Sequence, residues 1–264
     1  MPIGIFDSGL GGLSVLQAIH ARLPEVDTIY LGDNARTPYG IRDQETIFKW
    51  TLEGVSYLLG QGAPLVILAC NTASSGALRR IQQEILPRQF KNKRVLGIIR
   101  PIVEDAAMIT KTSHIGVLAT DATVKSHAYR IELQKLDPSI IVSEFAAQEI
   151  VDFVESGSVA KSEIESYIKN AVLSLCLQDP KIDTIILGCT HFTVLRNLFE
   201  QYVPDGIKII ADDQIVAEKL AEYLKRHEEI NKEIKKTAKR IYLTTGDEER
   251  ISKITGCAFT KVSL

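Results

Sequence analysis

No apolar stretch in the 264-residue chain approaches the ~20 residues that cross a bilayer, so no membrane partner is expected. No basic segment followed by a long apolar run opens it, so no export signal is expected. Its 31 basic and 33 acidic side chains leave a net charge of −2, which gives no sign of a nucleic-acid-binding surface. Cysteines number four, and no pair stands at the C-x-x-C spacing of a zinc site, so no metal is expected. Without an export signal those thiols are expected to be free, in a reducing compartment, the cytoplasm. The glycine-rich Phe6–Ser14 segment puts Ser14 where a dinucleotide loop needs its third glycine, and there is no phosphate-binding G-x-x-x-x-G-K-[ST]. That loop still offers backbone N–H groups at a helix start, which suits a small anion such as a carboxylate.

What the chain does have is a regular alternation of strand-sized apolar runs and amphipathic segments. Strands are predicted at Ile3–Phe6, Thr28–Leu31, Leu65–Ala69, Val95–Ile98, His114–Ala119, Ile140–Phe145, Thr184–Leu187, Ile207–Ile210 and Arg240–Thr244. Helices are predicted at Asp43–Gly60, Ser74–Leu86, Thr123–Leu136, Lys161–Gln178 and Gln214–Lys236. The clearest places Ile164, Tyr167, Ile168, Ala171, Val172, Leu175 and Cys176 on one face. Such alternation, with near-continuous apolar strands, predicts an α/β fold of parallel sheets covered on both faces. Strand-to-helix turns recur in tandem, which predicts two α/β lobes facing each other across a cleft. The lobes are expected at 1–96 and 97–206, with 207–264 returning to the first. The charged run Arg226–Lys239 reads as the solvated face and end of a long helix.

Two cysteines end apolar runs in matched contexts: Ala69-Cys70-Asn71-Thr72 and Gly188-Cys189-Thr190-His191. Ligands of open α/β sheets bind outside the carboxyl ends of the strands, so both thiols are placed where substrate would sit. Each could be a buried strand-end thiol, but their shared context and lobe-by-lobe placement point to chemistry. Thiols approaching one molecule from opposite sides could remove a proton on one face and return one on the other. His191 follows Cys189 by two residues, so in extended backbone both side chains can face one side. A neighbouring imidazole can relay a thiol proton. Asp7, at the first strand end, suits a substrate ammonium or the nearby thiol; capping of the following helix accounts for one of Asp7 and Ser8 but less readily for both. Cys176 and Cys257 read as packing residues.

Four segments in order carry a family resemblance: Gly4–Gly12, Tyr30–Gly40, Ala69–Ser74 and Leu187–Phe192, with weaker similarity at Thr123–Tyr129 and Thr245–Arg250. Together they make the chain resemble the glutamate racemase family of the aspartate/glutamate racemase superfamily. The resemblance implies two flavodoxin-like lobes enclosing glutamate and cofactor-independent interconversion of its enantiomers for bacterial cell-wall synthesis. It leaves the oligomeric state open, a homodimer included. By the same resemblance Cys70 and Cys189 are the catalytic thiols, Cys70 acting on the D- and Cys189 on the L-enantiomer. Asp7, Ser8, Tyr39, Gly40, Asn71, Thr72, Thr190 and His191 are the substrate contacts, with Asp7 assisting Cys70 and His191 assisting Cys189. Glu155 aligns as a further helper. Arg100, Thr193 and Asp213 depart from the family pattern without removing a catalytic group. An aspartate racemase of the same superfamily would keep both thiols and hold a shorter side chain. A non-catalytic amino-acid-binding protein would have no need of paired thiols.

Overall fold

The computed structural model describes residues 1–156 and 161–264, the side chains of Glu155, Ser156, Lys161 and Asp212 excepted. The strands are β1 (Ile3–Asp7), β2 (Thr28–Gly32), β3 (Leu65–Leu68), β4 (Arg94–Gly97), β5 (His114–Ala119), β6 (Ile141–Ala146), β7 (Thr184–Gly188), β8 (Lys208–Ile210), β9 (Arg240–Thr244) and β10 (Phe259–Lys261). They form a six-stranded sheet ordered β10-β9-β2-β1-β3-β4 and a four-stranded sheet ordered β6-β5-β7-β8. Every strand pairing among the described residues is parallel. The α/β class with parallel sheets is as expected, because β1, β2, β3 and β7 are near-continuous apolar runs buried along their whole length. β8 closes one edge of the second sheet, so the chain crosses back afterwards, along the helix Asp212–Arg226.

One apolar core runs between the sheets. It joins Ile3, Ile5 and Ile67 of the first to Ile115, Val117 and Ile186 of the second through Ile99, Ile102, Val216 and Leu220. The outer faces of the sheets have clusters of their own, one around Phe6 and Leu58, the other around Ile168 and Phe192. Cys176 packs against the latter and Cys257 against the shared core, and all four thiols are free.

Several elements differ from the sequence pattern for local reasons. The helix expected from Ser74 starts at Asn71, because Cys70 caps it by accepting from Ala73 N. The Thr123–Leu136 helix breaks at His127, whose φ of 52° lies in the left-handed region, and Ser126 Oγ takes up the Ala128 N–H at 3.2 Å. The long helix from Gln214 stops at Arg226, and a short one, Glu228–Glu233, follows. Ile230 and Ile234 are buried there, so the charged run is not one continuous solvated face. The strand β10 is only three residues long with one of them buried, too short to show a pattern.

Candidate active site

The register of the strands brings the two cysteines together. In the first sheet Phe6 pairs with Leu68 and Ala69 N donates to Phe6 O at 2.8 Å, so Asp7-Ser8 and Cys70 leave neighbouring strands side by side. In the second sheet Ala119 pairs with Gly188, which places Thr120 beside Cys189. The two sets of strand ends face one another across one small cavity. Ser8, Tyr39, Gly40, Cys70, Asn71 and Thr72 line it from the first side. Thr120, Cys189, Thr190 and His191 line it from the second. Asp7 is buried behind this wall, its Oδ2 accepting from Gly9 N at 3.0 Å and from Tyr30 Oη at 3.4 Å.

The two thiols have different surroundings. Cys70 lies 3.3 Å from Ser8 Oγ and accepts from Ala73 N at 3.4 Å. Burial, and next the charge of Asp7, nevertheless push its pKa up to about 12 against those two hydrogen bonds. Cys70 is therefore a neutral thiol at neutral pH. A carboxylate beside a thiol disfavours the thiolate, so Asp7 can assist Cys70 only by receiving its proton, not by stabilising its charge. Cys189, also buried, holds its Sγ 3.6 Å from His191 Nδ1; the two are close as expected, but through the first turn of the helix Thr190–Val194 that Cys189 caps and not through extended backbone.

Supporting contacts come from outside the motifs' obvious chemistry. The Tyr39 hydroxyl donates to the fully buried carboxylate of Asp33, while Tyr39 lines the cavity. Burial and the Asp33 charge hold the phenol well above its usual range, so it stays protonated. Asp33 is in turn bound by Arg36 Nε at 2.7 Å and by Thr245 Oγ1 at 2.7 Å. The segment after β9 thus buttresses the cavity from behind. Gly11 is tight for a steric reason: a Cβ there would stand 2.3 Å from Thr190 Oγ1 and 3.2 Å from the His191 ring. The glycine loop is where the second side of the cleft presses on the first.

Thr120 was missed as a candidate although its strand-to-helix turn repeats that of the first lobe. Its hydroxyl meets that of Thr72 at 2.9 Å across the cleft. Arg100 pairs with Glu104 and Glu132 and does not line the cavity. Thr193 is buried, and Asp213 Oδ1 accepts from Gln214 N. The Glu155 side chain lies outside the described residues. Among the described residues no cluster of three His, Cys, Asp or Glu side chains could hold a metal, and no helix is long and apolar enough to cross a membrane.

Residues 3–227 match the model of the Asp/Glu/Hydantoin racemase family. The chain belongs to that family. A glutamate racemase of Roseobacter denitrificans is 38% identical over 264 residues, covering 96% of this chain and 94% of its own. The crystal structure of a glutamate racemase isoform from Bacillus anthracis superposes with a TM-score of 0.88 at 30% identity, over 100% of this chain and 97% of that one. The enzyme from Francisella tularensis, crystallised with D-glutamate, gives 0.85 at 29% identity, over 99% and 97% of the two chains. The resemblance carried by the four motifs therefore extends to the whole fold of the family.

Proposed function

We propose that the protein is a glutamate racemase that interconverts L- and D-glutamate with two cysteines and no cofactor, supplying D-glutamate for peptidoglycan in the cytoplasm. One observation carries the reading: Cys70 and Cys189 leave strands of two different sheets and line the same cavity. Membership of the racemase family and the names of its relatives support the substrate. The working units are a lobe of residues 1–96, a lobe of 97–206 and a segment 207–264 that serves the first.

The α-proton of an amino acid is weakly acidic, so negative charge developing on the α-carboxylate must be met by fixed donors. Ser8, Asn71, Thr72 and Thr190 supply hydroxyl and amide donors, and the helix Asn71–Arg80 points its N-terminus at the same space. From L-glutamate, Cys189 as thiolate takes the α-proton while the neutral Cys70 thiol gives one to the opposite face. The S–H bond of Cys70 breaks as the new C–H bond forms, and the enzyme is left with the thiol and thiolate exchanged. From D-glutamate the same steps run in reverse, with Asp7 placed to receive the Cys70 proton.

The decisive experiment incubates purified protein with L-glutamate, without added cofactor, in deuterated water. Optical rotation should decay to zero, and the D-product should carry deuterium at the α-carbon while recovered L-substrate stays largely unlabelled early on. Equal early labelling of both pools would indicate a single base. Faster turnover of aspartate than of glutamate would move the assignment to the aspartate enzyme.

A further inference from the structure

Tyr129 lies outside the cavity wall, fully buried at the start of the helix Ala128–Leu136. Its hydroxyl donates to Asn71 Oδ1 at 2.5 Å, so the bond crosses from the second lobe to the residue directly after Cys70. Its ring lies against Gly188, the residue directly before Cys189. A Cβ on Gly188 would stand 2.9 Å from Tyr129 Cε2 and 3.2 Å from Cζ. One side chain therefore touches the neighbour of each cysteine, from opposite sides of the cleft.

We infer that Tyr129 is a positioning residue that sets the separation of the two thiols and orients the Asn71 carboxamide toward the substrate carboxylate. This rests on the racemase reading above. A phenol is planar and has two side-chain torsions, so it acts as a strut of fixed length between Gly188 and Asn71. A carboxamide carries an acceptor oxygen and a donor NH2 on opposite branches. With the oxygen engaged by the Tyr129 hydroxyl, the donor branch is turned to the other side, toward the cavity that Asn71 lines. Both faces of one carbon must be reached by sulfur in the same complex, and displacements of about 1 Å cost on the order of 100-fold in rate. Gly188 is required on this view because any side chain there would drive the ring, and with it Asn71, out of register.

The test separates the hydroxyl from the ring. Tyr129→Phe keeps the strut and removes the donor. It should raise KM about 10-fold for both enantiomers and leave kcat within about threefold. Tyr129→Leu removes the strut, and kcat should fall about 100-fold in both directions. In an Asn71→Ala background Tyr129→Phe should add nothing further to KM, since the hydroxyl acts through that amide. A Tyr129→Phe protein with a lowered melting temperature and unchanged KM would show a purely structural role and overturn the assignment. Should that variant not fold, Gly188→Ala takes its place, and unchanged kcat in folded Gly188→Ala protein overturns the assignment equally. Wild-type protein that does not racemise glutamate overturns the functional reading and this inference with it, whereas active wild type beside an indifferent Tyr129→Phe overturns this inference alone.

Discussion

The Cys189 thiol stands 3.6 Å from Nδ1 of His191 where β7 passes into a short helix, Thr190–Val194, with Cys189 at its N-cap and His191 in its first turn. Cys70 is attended by the Ser8 hydroxyl and, behind it, by the Asp7 carboxylate. The two thiols thus have unlike partners, and if they are the two bases of the proposed reaction, its two directions should respond unequally when a partner is lost. His191→Asn should lower kcat from L-glutamate on the order of 100-fold, and kcat from D-glutamate less. Asp7→Asn should show the opposite bias. The enantiomers have equal free energy in water, so kcat/KM must fall equally in both directions, and the asymmetry is read in kcat and KM separately. Steady-state kinetics from both enantiomers checks this, and near-wild-type values in all four parameters would return both residues to packing and capping roles.

The sign of the Asp7 effect can be read without turnover. Burial and the Asp7 charge together push Cys70 to about 12. Removing the charge leaves burial in place but takes away one cause, so the thiolate fraction at a given pH must rise. Alkylation of Cys70 by iodoacetamide at pH 8 should therefore be several-fold faster in Asp7→Asn than in the wild type, measured by peptide mass. A slower reaction would mean that Asp7 stabilises the thiolate.

The contact of Gly11 with Thr190 makes a different prediction. An added methyl would stand 2.3 Å from Thr190 Oγ1, far inside van der Waals contact, and a tight 3.0 Å from its Cβ. Because Thr190 faces Gly11 across the cleft, the clash should be relieved by parting the two sides rather than by unfolding either. Gly11→Ala is expected to lower kcat/KM at least about 10-fold while the melting temperature changes by only a few degrees. A large loss of melting temperature with unaltered kinetics would place the strain inside the first lobe.

Much of this architecture was legible because parallel strands advertise themselves. Leu65–Leu68 and Thr184–Gly188 are unbroken apolar runs, and a thiol immediately after such a run lies at the ligand-binding end of a sheet. The closeness of Cys189 and His191 was legible from their spacing, but not its geometry, since the helix that starts at Thr190 replaces the extended backbone expected there. Features that depend on contacts between distant segments were not legible. Nothing local to Tyr39 indicates that its hydroxyl is committed to Asp33, or that Thr245, more than 200 positions away, holds that carboxylate. The direction of the Asp7 effect was also hidden, since it depends on burial that only the packed fold creates. The start of the helix at Asn71 escaped because cysteine is an uncommon cap, and β10 because three residues carry no period.

His20, far in sequence from either thiol, should make the stability of the fold depend on pH. The residue is 8% exposed, Nε2 lies 2.8 Å from Thr28 Oγ1, and its pKa falls from the ordinary 6.5 to about 4. Burial is the main cause and the nearby Arg240 charge the second. Well above pH 6.5 the ring is neutral in both folded and unfolded chains and contributes no pH dependence. As pH falls below 6.5 the unfolded chain binds a proton that the folded chain refuses, so stability is lost progressively. Below about 4 both forms are protonated and the loss stops growing. At roughly 1.4 kcal/mol per unit, the full effect is about 3 kcal/mol. Asp183, held down to about 2 because hydrogen bonds from Thr110, Lys111, Thr112 and Thr184 outweigh its burial, loses its contribution only at lower pH and stays out of this window. Urea midpoints measured from pH 7.5 to 4 should therefore drop for the wild type. In His20→Asn, which cannot titrate there, the drop should be smaller by about that amount. Parallel curves for the two proteins would show that His20 titrates normally in the fold, and the burial argument for it would fail.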